Sequence, residues 1–493
     1  MTPDTAELAT ADSVGGIADA SAQAPSARAP SGSASRRRMP WLGALDLRTL
    51  DPARATAMRD SWRALWRSRL LVWAAGVGTL LTYGFGPVRH AFNPPGMTRG
   101  FGWLGDLLAA PAARWDAAWY EVIAHYGYRP DLGSFTAPRA AFFPLYPLGL
   151  RAFAWVGVPL VLGGVLISLL ALALALYGIH RLTTRELARS ARESGRSLLG
   201  GGAAGDGGAR ADVARLAVMV TAFAPMAFYL SAVYSEALYL ALSVGLFYAA
   251  RRGRFAAVGV LGALAGATRS AGIVLLVPAL MLYLYGPRED RPPDFPRARG
   301  LAPRYRPRKD LLWLALVPLG LALYVAYLGL AGGDPLSPFH AQDVWGRHFA
   351  GPYVGIWDGT RAAVEGARQL LSGQQAHLYH PITGDSAFIN SEHNLLLLAF
   401  LVAAVVATAG VLRRLPLAYG AYVIAALALP LSYPVTAQPL MSLPRFLVVL
   451  FPLSIWFAAW LAAHPRAQRP ALVGSGLLMA FFVAQFATWH WVA

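Results

Sequence analysis

Apolar runs close to 20 residues long recur along most of this chain and are separated by shorter segments rich in arginine. An α-helix needs about 20 residues to cross a hydrocarbon core about 30 Å thick, and a helix satisfies its own backbone hydrogen bonds in lipid. The sequence therefore predicts an all-α polytopic membrane protein with about eleven spans. The predicted spans are residues 70–88, 158–179, 213–233, 237–250, 255–270, 272–285, 311–330, 395–412, 417–433, 446–463 and 471–489.

The composition supports this class. Of the 493 residues 56% are hydrophobic and 14% are charged, whereas soluble domains have about 25% charged residues. The net charge of +17 comes from basic residues at the ends of apolar runs, not from basic residues interleaved with aromatics on a polar surface. Membrane lipids rather than nucleic acid are therefore the expected partners. The absence of cysteine excludes disulfides, thiolate metal sites and cysteine nucleophiles.

Arginines also predict the orientation in the membrane, because basic segments stay on the cytoplasmic side. Arginines cluster just before the first span, so the N-terminus is predicted to be cytoplasmic. With that choice every strongly basic segment falls on the same side: 181–210, 251–254, 288–309, 413–414 and 466–469. We predict a disordered basic tail over residues 1–66 and a single transmembrane domain over residues 67–493.

Two outward segments, residues 89–140 and 331–394, are much longer than turns require, and they are rich in aromatic residues. Long segments of this kind are usually functional when they are not disordered, and the aromatic content argues for folding. Residues 142–156 follow the first segment and are apolar, but Pro144, Pro147 and Arg151 interrupt them. This pattern predicts an interfacial helix instead of another span.

Residues 114–128, RWDAAWYEVIAHYGY, concentrate polar and aromatic groups in the first outward segment. In a continuous helix Trp115 and Trp119 share a face and Asp116 lies beside Tyr120, whereas Asp116 and Glu121 diverge by about 140°. Two interpretations stay open. Asp116 is a general base near the membrane surface, or the segment is an aromatic interfacial helix with a solvated acid. The candidate substrate-binding residues here are Trp115, Trp119, Tyr120, Glu121 and His125.

Charged residues at the outward ends of spans form a second group of candidates. Arg269 and Arg445 are candidates for binding phosphate, because a guanidinium donates paired hydrogen bonds to phosphate oxygens. The alternative is that each side chain reaches to the interface for hydration. Glu236 is positioned either to orient a sugar hydroxyl or to complement a helix dipole as a first-turn acid.

Neither an HExxH nor an Asp-x-Asp pattern occurs, and the histidines are scattered. We therefore expect no metal and no other cofactor. Walker and Rossmann glycine patterns are absent as well, which favours a lipid-linked over a nucleotide-linked donor.

Five motifs occur in an order and at a spacing that resemble the phosphatidylinositol-glycan class V mannosyltransferases and their bacterial relatives, within the GT-C superfamily of glycosyltransferases. They are WDAAWYEVIAHYGY, AAFFPLYPL, FYLSAVYSEALYL, LAGATRSAGIVLL and SLPRFLVVLFPL, between about residue 114 and residue 452. In the second outward segment FHAQDVWGRH, residues 339–348, is similar to the bacterial relatives at Gln342, Trp345 and Arg347. These three side chains suit sugar binding or stabilisation of their own loop.

The resemblance implies a GT-C-like helical bundle. It implies inverting transfer of mannose from a polyprenyl phosphate donor, such as dolichyl phosphate mannose, to a glycolipid or glycan acceptor outside the cytosol. Asp116 matches the acid that activates the acceptor hydroxyl, and the resemblance favours functional roles for Arg269 and Arg445. The Ala, Arg and Gly bias favours a bacterial plasma membrane, with the endoplasmic reticulum as the eukaryotic counterpart.

Two other functions stay open at this stage. A secondary transporter places its substrate at mid-membrane between structural repeats, but the polar residues here gather at outward ends and no internal repeat is evident. A lipid-linked polymer ligase or flippase also needs an embedded lipid substrate.

Overall fold

A computed structural model describes residues 51–86, 102–128, 139–194, 207–295, 302–373 and 387–492. Every regular element in these ranges is a helix, and the only extended pairing among them is an isolated β-bridge between Arg347 and Val435. The predicted all-α class is confirmed for this part of the chain.

The helices are given in chain order. They are α1 Pro52–Tyr83, α2 Gly102–Ala109, α3 Ala117–Tyr126, α4 Leu145–Trp155, α5 Leu160–Ser194, α6 Gly207–Ala222, α7 Glu236–Arg251, α8 Phe255–Gly266, α9 Leu276–Tyr285, α10 Leu319–Gly332, α11 Ser337–His340, α12 Pro352–Ser372, α13 Ala387–Arg414, α14 Leu417–Leu431, α15 Leu443–Leu447, α16 Phe451–Ala463 and α17 Pro465–Ala487. Short 3-10 helices lie at Ala227–Ser231, Ser270–Leu275, Lys309–Leu316 and Ala341–Trp345. The core lies around α5, which packs against α1, α4, α6 and α7.

In the described ranges, three helices are long and apolar enough to cross a bilayer: Leu160–Arg189 within α5, Ile389–Arg414 within α13, and α17. The 3-10 helix Lys309–Leu316 and α10 together make a fourth candidate that is bent by 42°. These elements are compatible with an integral membrane protein. The predicted span 70–88 falls largely on the second half of the 32-residue helix α1, and the remaining predicted spans fall on shorter helices. The number of spans therefore stays a prediction.

Several predicted spans are not continuous helices. Residues 213–233 contain Pro225, and α6 ends at Ala222 before the 3-10 helix Ala227–Ser231 begins. Likewise, residues 446–463 divide between α15 and α16 near Pro452. Proline removes an amide donor and clashes with the preceding turn, so a helix breaks where the apolar pattern alone continues.

The predicted disordered tail over residues 1–66 is wrong for residues 52–66, which belong to α1. Asp51 caps the helix by accepting a hydrogen bond from the amide of Ala53 at 3.2 Å. Ala57, Ala64 and Leu65 recur at helical spacing on the buried face, while Arg54, Arg59 and Arg63 are exposed, so residues 52–66 are amphipathic. Residues 1–50 lie outside the described residues.

Two predicted loops are also partly helical. Residues 181–194 continue α5, and residues 387–394 form the first turns of α13. Charged and polar residues can extend a helix beyond its apolar part, because helical hydrogen bonds belong to the backbone. The predicted interfacial helix at 142–156 contains α4, and its place in the interface stays a prediction.

Helix α12 packs against α13 and α14 through a face of small residues. A Cβ atom on Gly355 would lie 2.1 Å from the carbonyl oxygen of Leu431, and one on Gly359 would lie 2.4 Å from the side chain of Leu440. The opposite face exposes Tyr353 and other large apolar side chains. Small residues thus let this helix approach the bundle closely enough to hold the second outward segment against it.

Arg69, buried on α1, supports the break after α6. Its Nη1 donates to the carbonyl oxygen of Ala227 at 2.8 Å and to Oγ of Ser231 at 2.7 Å, and its Nη2 donates to the carbonyl oxygen of Ala222 at 3.0 Å. The carbonyl of Ala222 lies at the end of α6, where helical donors are missing, and a buried acceptor without a donor is costly. One arginine therefore fixes the segment that leads to Glu236.

We expect Arg69→Met to lower the free energy of unfolding by about 2 to 4 kcal/mol, because it leaves several buried acceptors without a donor. Thermal melting of the purified full chain in detergent measures the loss. Arg67→Met is the matched control, because Arg67 is exposed on the same helix. Equal melting temperatures for the two variants would contradict this role of Arg69.

Candidate functional site

Asp116 lies in a tight turn directly before α3. Its backbone amide donates to the Tyr234 hydroxyl at 3.0 Å, and that hydroxyl donates to the Arg114 carbonyl oxygen at 3.0 Å. Trp115 has φ = 55°, in the left-handed region that is uncommon for a bulky residue. The predicted continuous helix through Trp115 and Trp119 is therefore wrong, because α3 begins only at Ala117.

The carboxylate of Asp116 belongs to a chain of ion pairs. Arg445 Nη1 lies 2.6 Å from Asp116 Oδ2, and Arg269 Nη1 lies 2.6 Å from Glu236 Oε1. Arg445 Nε lies 3.5 Å from the same oxygen of Glu236 and links the two pairs. All four side chains are mostly buried, and that of Glu236 is only 1% exposed. The alternative interpretations, in which the arginines reach the interface for hydration and Asp116 is solvated, do not fit this arrangement.

Aromatic rings enclose the arginines. The guanidinium of Arg445 lies 5.7 Å from the ring centres of both Tyr229 and Tyr234 and 5.5 Å from that of Phe446. Arg269 lies 5.2 Å from the same Phe446 ring. Such contacts suit a guanidinium better than an ammonium and keep it oriented in a weakly hydrated site.

These groups open onto a cavity of about 220 Å³. The cavity is lined by many of the residues that the sequence singled out: Asp116, Tyr120, Glu236, Arg269, Gln342, Trp345, Arg347 and Arg445. They come from both outward segments and from the ends of α7, α8 and α15, so the fold brings distant parts of the chain to one place.

The second outward segment supplies one wall. Trp345 packs edge-on against Phe142 with ring centres 6.1 Å apart. Arg347 is placed by its β-bridge to Val435, and its Nη2 donates to the Met441 carbonyl oxygen at 3.4 Å. Burial, with the nearby charge of Arg445, lowers the pKa of Arg347 to about 10, so it remains a cation at neutral pH.

Tyr120 shares a hydrogen bond of 2.8 Å with Ser235. Burial, with the charge of Glu236, raises its pKa to about 12, so the phenol stays protonated. It is therefore suited to hydrogen bonding in the cavity and not to proton abstraction.

Four predicted residues do not line the cavity. Trp115 packs edge-on against Trp489 and Trp491, and Trp119 stacks on Phe142 with ring centres 5.9 Å apart. His125 is exposed beside Tyr126, with ring centres 4.5 Å apart. Glu121 is fully buried and does not line the cavity.

The sequence did not single out several residues of the cavity. Phe446 follows Arg445 directly, and Phe142 lies in the AAFFPLYPL motif, so an aromatic residue beside a motif was the available signal. Ser442, with φ = 70°, and Trp491 near the C-terminus also line the cavity. Ser442 opens the SLPRFLVVLFPL motif, so the same signal was available for it. No local pattern marks Trp491, which only the tertiary fold brings to the site.

No group of three or more potential metal ligands gathers within the described ranges. The carboxylates of the cavity are instead held by arginines. The expected independence of metal ions and other cofactors remains a prediction.

The buried, unpaired state of Glu121 can be tested through the pH dependence of folding stability. Neither of its carboxylate oxygens has a hydrogen-bond partner among the described residues, and burial raises its pKa well above the usual value. Above that usual value the unfolded chain loses a proton that the folded chain keeps, so folding stability falls as pH rises. Glu121→Gln removes this loss. Its free energy of unfolding should rise relative to that of wild type by up to about 1.4 kcal/mol for each pH unit above about 4.5.

Thermal melting at pH 5 and pH 8 measures this gain. The control is Glu392→Gln, at an exposed position of α13, which should show no such gain. A Glu121→Gln variant less stable than wild type at pH 8 would mean that the folded protein holds Glu121 as a paired carboxylate.

Compared with protein-family models and with curated proteins, the chain matches none. A function for this chain must therefore be argued from the cavity and from the motifs that line it.

Proposed function

We propose that this protein is a membrane-embedded, inverting mannosyltransferase that uses a polyprenyl-phosphate-linked mannose donor. The observation that carries the proposal is the placement of the Asp116 carboxylate beside buried guanidinium groups in one cavity. Transfer from a lipid phosphate needs a base at the acceptor oxygen and positive charge at the departing phosphate, and this cavity contains both.

In the proposed reaction an acceptor hydroxyl attacks the anomeric carbon of the sugar. The bond from that carbon to the phosphate oxygen breaks, and its electron pair leaves with the polyprenyl phosphate. Asp116 takes the hydroxyl proton. Arg445 binds Oδ2 of Asp116, and no described residue donates to Oδ1, so Oδ1 is the oxygen that can accept this proton.

An apolar wall of the cavity accounts for a lipid-linked substrate. It consists of side chains from the end of α14 and from the segment between α15 and α16: Ala426, Leu429, Pro430, Val449 and Leu450. In our proposal the polyprenyl chain of the donor lies along this wall, while the phosphate and sugar reach the polar residues.

The proposal includes the finer architecture that the sequence implies. Short apolar helices on either side of the breaks combine into about eleven spans of a GT-C-like bundle. Non-helical backbone at membrane depth is tolerated where it lines a cavity, and the breaks near Glu236 and Arg445 lie at such a cavity. The N-terminus is cytoplasmic, the site is extracytoplasmic, and a bacterial plasma membrane is the proposed location. The acceptor is a glycolipid or glycan.

Asp116→Asn should retain the fold and lower mannose transfer by about 10²- to 10⁴-fold, because the amide can still accept from Arg445 but cannot take a proton. The assay uses membranes containing the full chain, supplied with dolichyl phosphate mannose, and extracts of lipid and glycan acceptors. The control is Asp343→Asn, which alters an exposed acid of the second outward segment.

Near-normal turnover by Asp116→Asn would remove Asp116 from the catalytic role. Sugar flux through proteoliposomes that contain no lipid-linked sugar would instead support a transporter. Thin-layer analysis of the consumed lipid separates transfer from polymer ligation or flipping.

A further inference from the structure

The cavity contains more positive than negative charge. Its charged lining residues in the described part of the chain are Asp116, Glu236, Arg269, Arg347 and Arg445. Three guanidinium cations against two carboxylates leave one net positive charge. An unpaired charge in a poorly hydrated site costs free energy. The excess positive charge therefore indicates that the cavity binds an anion.

The three arginines are not equivalent. Arg269 and Arg445 are each 2.6 Å from a carboxylate oxygen. Arg347 is hydrogen bonded to the Met441 carbonyl at 3.4 Å, a long and neutral contact, and no carboxylate among the described residues pairs with it. Among the three, its charge is therefore the one without an ion-pair partner in the described part of the chain.

We propose that Arg347 binds the anionic group of the donor, and that the cavity is matched to one negative charge, that of a phosphodiester, and not to the two charges of a pyrophosphate diester. This inference rests on the proposed function and changes the roles of the three arginines in it. Arg269 and Arg445 first hold the carboxylates in position, and Arg347 supplies the charge that attracts the donor.

The ion pairs explain why Arg269 and Arg445 are not the primary anion sites. A phosphate that drew either guanidinium fully away would leave Glu236 or Asp116 as an unpaired buried carboxylate, at a cost comparable to the gain. Each retains further N–H groups that can donate a supporting hydrogen bond without giving up its pair.

The charges also remain balanced through the reaction. A bound phosphodiester with one negative charge makes the cavity neutral. After transfer the phosphate is a monoester that can carry two negative charges, and Asp116 has become neutral by taking the acceptor proton. Arg445 is then released from its pair with Asp116, keeps its longer contact with Glu236, and can interact with the second phosphate charge. A pyrophosphate diester would instead begin with one negative charge in excess.

The test is a binding measurement on the full-length protein in nanodiscs of phosphatidylcholine, without acceptor. The two probes have the same short polyprenyl chain. One is its methyl phosphodiester, a monoanion, and the other is its methyl pyrophosphate diester, a dianion. Wild type should bind the phosphodiester about 10-fold more tightly, or better.

Arg347→Gln should weaken phosphodiester binding by about 30-fold or more, because it removes the charge that faces the anion. Arg347→Lys should recover part of the loss. Arg368→Gln is the matched control, because Arg368 is exposed on α12 and does not line the cavity; its affinity should stay within about 2-fold of wild type.

A further variant tests the charge balance without removing Arg347. Gln342 lines the same cavity, and Gln342→Lys raises the net charge by one. The preference should then shift toward the pyrophosphate diester by about 10-fold or more. This result does not depend on whether Arg347→Gln folds well.

Equal phosphodiester affinity of Arg347→Gln and wild type would overturn the assignment of Arg347, and a wild-type preference for the pyrophosphate diester would overturn the single-charge match. If the binding results hold while no acceptor receives mannose, the anion site stands and the proposed function fails. If mannose transfer is found but Arg347→Gln binds normally, the function stands and this inference fails.

Discussion

The buried ion pair between Asp116 and Arg445 joins two residues that are 329 positions apart in the chain. Glu236 forms ion pairs with both Arg269 and Arg445, so the pair extends into a row of alternating charges. Away from water, each member of such a row depends on its neighbours, because removing one leaves another charge buried without a partner. This mutual dependence holds the ends of α7, α8 and α15 and the turn before α3 in one arrangement.

The irregular backbone of the described chain concentrates next to these charges. α6 stops at Ala222, and Arg69 binds the freed carbonyl groups of the segment that leads to Glu236. Trp115 and Ser442, both with left-handed φ, lie one residue before Asp116 and three residues before Arg445. Uncommon conformations cost free energy and persist where surrounding contacts enforce them. Here the uncommon conformations direct charged side chains into the cavity, where continuous apolar helices would place apolar side chains.

The apolar runs were sufficient to predict an all-helical protein, and charge bias predicted that Asp116, Glu236, Arg269 and Arg445 would lie on the same side of the membrane. Their meeting in one cavity agrees with that bias. Their pairing could not be predicted, because it depends on how helices separated in sequence pack together. Hydropathy also missed the break at Pro225, since an apolar run continues through a proline that a helix does not tolerate.

The ion pair between Asp116 and Arg445 also explains how the cavity of the proposed enzyme would stabilise the transition state more than the bound donor. Interactions of equal strength in both states do not accelerate the chemical step. In the proposed reaction, the attraction between the Asp116 carboxylate and Arg445 weakens as the acceptor proton moves to Asp116, while negative charge grows on the phosphate. The guanidinium is already in place, so little reorganisation is needed. Under this proposal, the ion pair with Asp116 keeps Arg445 occupied until the negative charge that Arg445 stabilises appears on the phosphate.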